Sequence, residues 1–596
     1  MKSFRIKKSP VVACLVWFAW VSPVCAESAD IADTILFNGN VYTLNWGEPD
    51  LQGNPAVDAP FANNSWQADA RAVAIKDGTL LFLGSTESVQ KYIGPNSKVI
   101  NLQGATVLPG LVDSHVHIAE LGEILQRANL SNVESPQAAI ELLEGYAKDL
   151  PAGEWLIGQG WDEGAWADNY PNRLMLDKAF PDNPVYLRSL HGFAVWVNSM
   201  ALELVGIDQH SKAPVGGEIL RDKDGLPNGI LLNRATALIA ERLPEPTTEV
   251  FANYIHGGMQ QMAKDGFVAV HEAGAESLHI EALQQLQTQG DLPIRMYAML
   301  SARDAELANA WQKRGPLVDP SGFLDIRSVK AYYDGALGSR GARLLADYSD
   351  RPGHRGVSGD GYGFDAKLVD KLIGSGFQVG IHAIGDAGNR EVLEFFSSAE
   401  KKHAGSVNLR HRVEHAQVIH ADDFAKLKKL SLIASMEPPH AVEDKTWAED
   451  RLGSERIRGA YAWRTLREHQ VPLTFNSDLP GSDHNIFYAL HAAVTRRDKQ
   501  SEPAEGWYAE QAVSIEEAIR AYTSWAAYAA FREHQTGVLK QGNWADITVI
   551  NIDPFKLAGD TPSELLAGKV LMTIVNGEIV HRDQSLNGKE LITSDN

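Results

Sequence analysis

A chain of 596 residues that is 44% hydrophobic and 22% charged holds enough apolar material for a large core and exceeds one small domain. Its net charge of −21 argues against nucleic acid or an anionic membrane surface as a main partner. A small-molecule substrate is the partner expected, and a homo-oligomer is compatible with the composition.

The N-terminus reads as a secretory signal over 1–26. Lys2, Arg5, Lys7 and Lys8 precede the apolar run Val11 to Val21, and Val24-Cys25-Ala26 offers small residues for cleavage before Glu27. The run is shorter than the roughly 20 residues that span a bilayer, so no stable membrane anchor is expected after cleavage. Cys14 and Cys25 both lie in this segment, which leaves the processed chain with no disulfide and no thiolate metal ligand. A bacterial periplasm is the expected location.

Beyond the signal, Asp33 to Asn45 alternates as a strand, and Arg71 to Gly84 reads as a hairpin turning at Asp77-Gly78. The Pro-, Gly- and Asn-rich stretch Trp46 to Ala70 between them reads as a surface loop. The other chain end has the same texture, with a strand over Ala545 to Ile552 and a hairpin around Asn576-Gly577. These pieces predict one composite β-sandwich domain from 27–106 and 535–596, closing over a central unit at 107–534.

In that centre, short apolar strands near Val112, Val268, Met296, Val329, Val379, Val413, Ile433 and Thr474 alternate with helical stretches. This is the pattern of an α/β fold with a closed (β/α)8 TIM-like barrel. The gap between the first two strands is too long for one crossover, so 120–265 is expected to be an inserted α+β lid subdomain. Its aromatic segments, Trp155 to Trp166 and His191 to Asn198, either line a substrate pocket or pack a core.

The run Val107 to Val112 leads directly into His115-Val116-His117. Strand side chains alternate, so both imidazoles face one way, at the strand end where barrel enzymes carry their chemistry. Other predicted strands end similarly, in Lys330 and Asp334, in His382, in His415 and in Asp478. One histidine in an apolar context is usually a satisfied core group, whereas this many at successive strand ends point to a divalent metal.

With these residues the sequence resembles the amidohydrolase superfamily, and within it the YtcJ-like, amidohydrolase-3 branch. The resemblance spans nearly all of the processed chain. It rests on Leu108 to His117, Gly216-Gly217-Glu218, Val329-Lys330 with Asp334-Gly335, His382 to Asp386, Arg412 to Ala416, Asp450 to Gly453 and Ser477 to Pro480. It implies a metal-dependent hydrolase in which His115, His117 and Asp478 hold one ion, His382 and His415 hold a second, and a carboxylated Lys330 bridges them. Zinc is the ion implied.

Imidazoles and carboxylates suit zinc, whereas an unmodified ammonium cannot bind it. Lys330 is therefore either a carbamate bridge or an ion-pair partner of Asp334, the latter leaving a one-metal site. Asp478 is the expected proton shuttle. His271, Arg340 and His440 are candidate substrate contacts, Arg340 being equally suited to a surface salt bridge. Asn476, Glu437 and His191-Gly192-Phe193 depart from the branch's usual Gly, Gln and Asp-Gly-His.

The reading is an exported metal-dependent amidohydrolase acting on a non-peptide C–N bond in an N-acyl, N-formyl or cyclic amide. An ester or lactone hydrolase, or a non-catalytic periplasmic binding protein, is the alternative, because fold alone does not prove activity.

Overall fold

The eight apolar stretches form one parallel sheet: β1 (Leu111–Val116), β2 (Phe267–Ala275), β3 (Arg295–Ser301), β4 (Leu324–Tyr332), β5 (Gln378–Ala383), β6 (Arg412–His415), β7 (Ile433–Met436) and β8 (Leu473–Phe475). Each strand pairs with the next in chain order. The computed structural model describes residues 30–131, 133–148, 150–161, 170–189, 194–214 and 217–586. The signal segment, Trp166, His191-Gly192-Phe193 and Gly216 lie outside the described residues.

β1 and the end of β8 close the ring. Ser114 Oγ donates to the Phe475 carbonyl at 3.0 Å, Asp478 N donates to the His115 carbonyl at 3.0 Å, and His117 N donates to the Leu479 carbonyl at 2.9 Å. The sheet is thus a TIM-like barrel. Its strands are buried on both faces, as parallel strands under crossover helices must be. Two of the helices between them start at side-chain caps: Asp304 accepts from Leu307 N, and Asp365 from Lys367 N and Leu368 N.

Between β1 and β2 the chain builds a six-stranded sheet from Ala128–Asn129, Leu156–Trp161, Val185–Ser189, Ala194–Val197, Pro227–Asn233 and Gly217–Arg221, in that spatial order. It has hydrophobic clusters of its own, one around Leu143, Leu187 and Trp196 and one around Val195, Leu202 and Ile239. The helices flanking it, Ile118–Gln126 and Thr248–Lys264, instead pack on each other and join the barrel core. Their backbones approach so closely that a Cβ at Gly122 would sit 1.7 Å from the Tyr254 carbonyl oxygen, which only glycine permits.

Both chain ends contribute to a β-sandwich. One sheet carries Thr34–Phe37, Ala72–Lys76, Thr79–Gly84 and Lys98–Asn101, and the other carries Asn40–Val41, Thr106–Pro109, Ile547–Ile550, Val570–Val575 and Glu578–Arg582. Leu36, Ile75 and Ile100 meet Val107, Ile547 and Ile574 in one core. The stretch Trp46 to Ala70 is more than a surface loop. It contains the small hairpin Phe61–Ala62 with Ser65–Trp66, and Trp66 is buried 4.9 Å from the Phe555 ring. Its aromatic residues, which composition-based loop reading overlooks, tie it to the C-terminal helix Pro554–Asp560. Among the described residues no helix is long and apolar enough to cross a membrane.

Sandwich and barrel are joined by a buried ion pair. Arg295 at the start of β3 holds Asp546 bidentately, at 2.8 Å through Nε and 3.0 Å through Nη2, and Asp546 also accepts from Asn576 N. Breaking such a pair from one side strands a buried charge. Asp546→Ala is expected to lower the unfolding free energy by about 3–5 kcal/mol in denaturant titrations; a loss under about 1 kcal/mol, the range of a surface pair, would contradict this.

Candidate metal and active site

At the C-terminal mouth of the barrel the strand-end residues converge. The Nε2 atoms of His115 and His117 lie 3.4 and 3.3 Å from Asp478 Oδ1. The His382 and His415 ring centroids are 4.6 Å apart, and those of His115 and His415 are 5.2 Å apart. Lys330 Nζ stands 2.9 Å from His115 Nε2. The six residues expected as ligands therefore meet in one place, contributed by β1, β4, β5, β6 and the end of β8.

Local backbone geometry turns two of them inward. His415 has φ 71° and Asp478 has φ 51°, left-handed conformations that a non-glycine residue avoids unless its surroundings impose them. Around Asp478 the surroundings are explicit. Asp113 accepts from Ser477 Oγ at 2.6 Å and Ser477 N at 3.1 Å, anchoring the turn to β1. Burial pushes the Asp113 carboxyl up to about 7 against these hydrogen bonds.

Beneath the ligands lies a charged chain with no route to solvent. Glu414 Oε2 is 2.7 Å from His115 Nδ1, and Arg412 approaches Glu414 at 2.7 Å through Nε and 2.9 Å through Nη2. Burial opposes the Glu414 carboxylate, yet Arg412 and His115 hold it well below the usual range. With Nδ1 engaged by a carboxylate, His115 presents Nε2 to Asp478 and Lys330, the orientation that outer carboxylates impose on metal-binding histidines.

The donor set fits a divalent cation. Burial, reinforced by Lys330, lowers His115 to about 4, and burial with His415 takes His382 well below its ordinary value, so both imidazoles are neutral. His382 Nδ1 is buried without a hydrogen-bond partner. Although burial disfavours its anion, His115 and His117 keep the Asp478 carboxyl ionised, well below its usual range. Among the described residues, two groups have ligand atoms clustered closely enough to hold an ion, His115 with His117 and Asp478, and His415 with Glu437 and His440.

Lys330 does not pair with Asp334. That carboxylate accepts backbone N–H groups of Ile384, Gly385 and Arg343, each at 2.9 Å, and staples β4 to the turn after β5. Lys330 has no carboxylate within salt-bridge distance among the described residues, and burial lowers its pKa. A buried amine of reduced basicity beside an imidazole fits the carbamate alternative.

Two expected substrate contacts are corrected. His271 lies beneath the mouth, because β2 continues to Ala275; its Nδ1 faces Arg412 Nη1 at 3.0 Å and its ring lies 4.9 Å from Tyr297. Arg340 is committed to Asp350, at 3.1 Å through Nε and 2.7 Å through Nη2, and Asp350 also holds Arg451. His440 does stand at the mouth, on the short helix Pro438–Glu443, 3.6 Å from Glu437. Burial works against its cation, but Glu437 raises it to about 9, while Glu437 itself, 3.2 Å from His415 Nδ1, is held at about 2.

Arg412, Glu414 and Glu437 were not assigned roles from the sequence. The signal was present: Arg412 and Glu414 alternate on one face of a strand placed inside the barrel, so charges there must answer to each other.

A family model described as "Amidohydrolase family" matches residues 98–581. The Bacillus subtilis (strain 168) protein YtcJ, named as an amidohydrolase, is 30% identical over 86% of this chain and 96% of its own length. An N-substituted formamide deformylase of Arthrobacter pascens is 24% identical over 91% of this chain and 97% of its own. Among solved structures, an uncharacterised metal-dependent hydrolase from Pyrococcus furiosus superposes with TM-score 0.68 at 24% identity, covering 88% of this chain and 100% of that one.

If the strand-end cluster holds a divalent metal, Glu414→Gln is expected to weaken its binding about 10- to 100-fold, the usual cost of losing a carboxylate that orients a metal-binding histidine. Competition with a chromophoric chelator measures it. Unchanged affinity in a folded variant would contradict the orienting role.

Proposed function

Because the chain belongs to the amidohydrolase family, we propose that it is a metal-dependent hydrolase of a non-peptide C–N bond, in an N-acyl, N-formyl or cyclic amide. The observation that carries this is the meeting of His115, His117 and Asp478 with His382, His415 and Lys330 at the strand ends. The name of the Arthrobacter pascens relative supports a C–N bond as the target.

In this reading His115, His117 and Asp478 would hold one zinc ion and His382 and His415 a second, with Lys330, as a carbamate, supplying an anionic ligand to both. When bound, the metal lowers the pKa of water towards roughly 7 and polarises the substrate carbonyl. Asp478, ionised among its imidazoles, takes a proton from the attacking water and returns it to the leaving nitrogen. Glu414 and Arg412 keep His115 in one tautomer. His440 stands within the same mouth to hydrogen-bond the carbonyl oxygen as charge develops. The basic and apolar composition of 1–26 supports export to a periplasm, with cleavage before Glu27.

Asp478→Asn keeps the shape and removes the base. In the zinc-loaded protein it is expected to lower kcat for an N-formyl or N-acyl amine by about 10²–10⁴, with little change in folding; chelation of wild type should abolish the same activity. Amide hydrolysis that survives both treatments would refute the proposal, and turnover of the matched ester alone would move the reading to C–O bonds. N-terminal sequencing of protein recovered from the periplasm should begin at Glu27, and an uncleaved cytoplasmic chain would contradict export.

A further inference from the structure

Arg303 follows β3 by two residues and lies beside the candidate site. Its guanidinium stacks on Tyr332, the last residue of β4, with Cζ 3.8 Å from the ring centroid, and stands 5.5 Å from the Tyr362 ring. Lys330 Nζ lies 4.8 Å from the same Tyr332 centroid, and the Tyr332 and His382 rings are 6.0 Å apart. One ring therefore connects Arg303 to the candidate ligands.

Unlike its neighbours, Arg303 has no carboxylate partner among the described residues. Arg340 and Arg451 share Asp350, and Arg343 faces Glu391 at 3.7 Å. Asp304, the acid next to it in sequence, is already occupied. Asp304 caps the helix Ala305–Arg314 and accepts from Ser277 N at 3.0 Å, and Glu276 caps the helix Ser277–Gln289. The Tyr332 hydroxyl packs over Gly274, whose φ of 107° and missing Cβ leave it room: a Cβ there would sit 2.8 Å from that oxygen. Burial raises the phenol to about 12, so it stays a neutral donor.

We propose that Arg303, held over the Tyr332 ring, binds an anionic group of the substrate, a carboxylate set beside the scissile amide. A planar guanidinium offers two parallel N–H donors matched to a carboxylate, and stacking on an aromatic face fixes that fork while leaving its edge open. The substrate class becomes an N-acylated or N-formylated amino acid, or a cyclic amide bearing an acid. This extends the C–N hydrolase reading and rests on it for the identity of the bond, although anion binding by Arg303 can be measured without turnover.

Phenylacetate and phenethyl alcohol differ in charge and contain no hydrolysable bond. Binding of each to the zinc-loaded full chain, followed by ligand-observed NMR titration, should favour phenylacetate in the wild type. Arg303→Met, which keeps the apolar stem, is expected to weaken phenylacetate about 10- to 100-fold, the range for a charge-assisted pair, and to leave phenethyl alcohol within about twofold. Arg303→Lys should fall between them, and matching thermal midpoints exclude a folding defect. No preference for phenylacetate in the wild type, or equal phenylacetate affinity in Arg303→Met, would overturn the proposal. If the preference follows Arg303 but no amide is cleaved, the hydrolase reading fails and the anion subsite stands.

Discussion

The buried ion pair between Arg412 and Glu414 is the constraint on which the rest of the site depends. Neither side chain reaches solvent, so each charge is tolerable only because the other is present. Arg412 also donates to the Ser114 carbonyl at 2.6 Å and Ser435 Oγ at 2.9 Å, and faces His271 Nδ1 at 3.0 Å. One guanidinium thus ties β6 to β1, β7 and β2 through the barrel interior. Glu414 Oε2, which accepts from Arg412 Nη2, also engages His115 Nδ1, so the same pair that completes the barrel core sets the direction of the first imidazole.

Above this layer, stability gives way to chemistry. His415 and Asp478 take left-handed backbone conformations that elsewhere would be relieved. The surrounding network over-determines them, with Asp113 clamping Ser477 and the His115 carbonyl holding Asp478 N. Imidazoles, carboxylates and a buried amine with no carboxylate partner among the described residues are then packed together, Lys330 Nζ resting against His115 Nε2. Such an assembly is costly without a cation and coherent with one, because a divalent ion satisfies the donors that the protein leaves facing each other.

Much of this was legible in the sequence. All eight barrel strands could be read, because each carries a short run of apolar residues and most end in residues an apolar interior would reject. The convergence of His115, His117, Lys330, His382, His415 and Asp478 followed from alternation and from placement at strand ends. What escaped depends on length and partners. His271 resembles a rim histidine until β2 is seen to run on to Ala275, and Arg340 resembles a free anchor until Asp350 is found beside it. Arg303 sits in a loop with no periodicity, and its significance comes from its place over the Tyr332 ring with no carboxylate partner among the described residues, which a sequence cannot display. Glu437 was visible as an unusual residue, but its place between His415 and His440 required the short helix after β7.

The most direct test of the central claim is the mass of the intact chain under non-denaturing conditions, purified in the presence of zinc and bicarbonate. The account predicts divalent ions bound to the folded chain together with one CO2 adduct, the adduct lost on acid denaturation and absent from Lys330→Met. A chain that retains no metal after reconstitution, with Lys330 unmodified, would contradict it and leave the strand-end histidines as core groups of a protein that binds rather than cleaves.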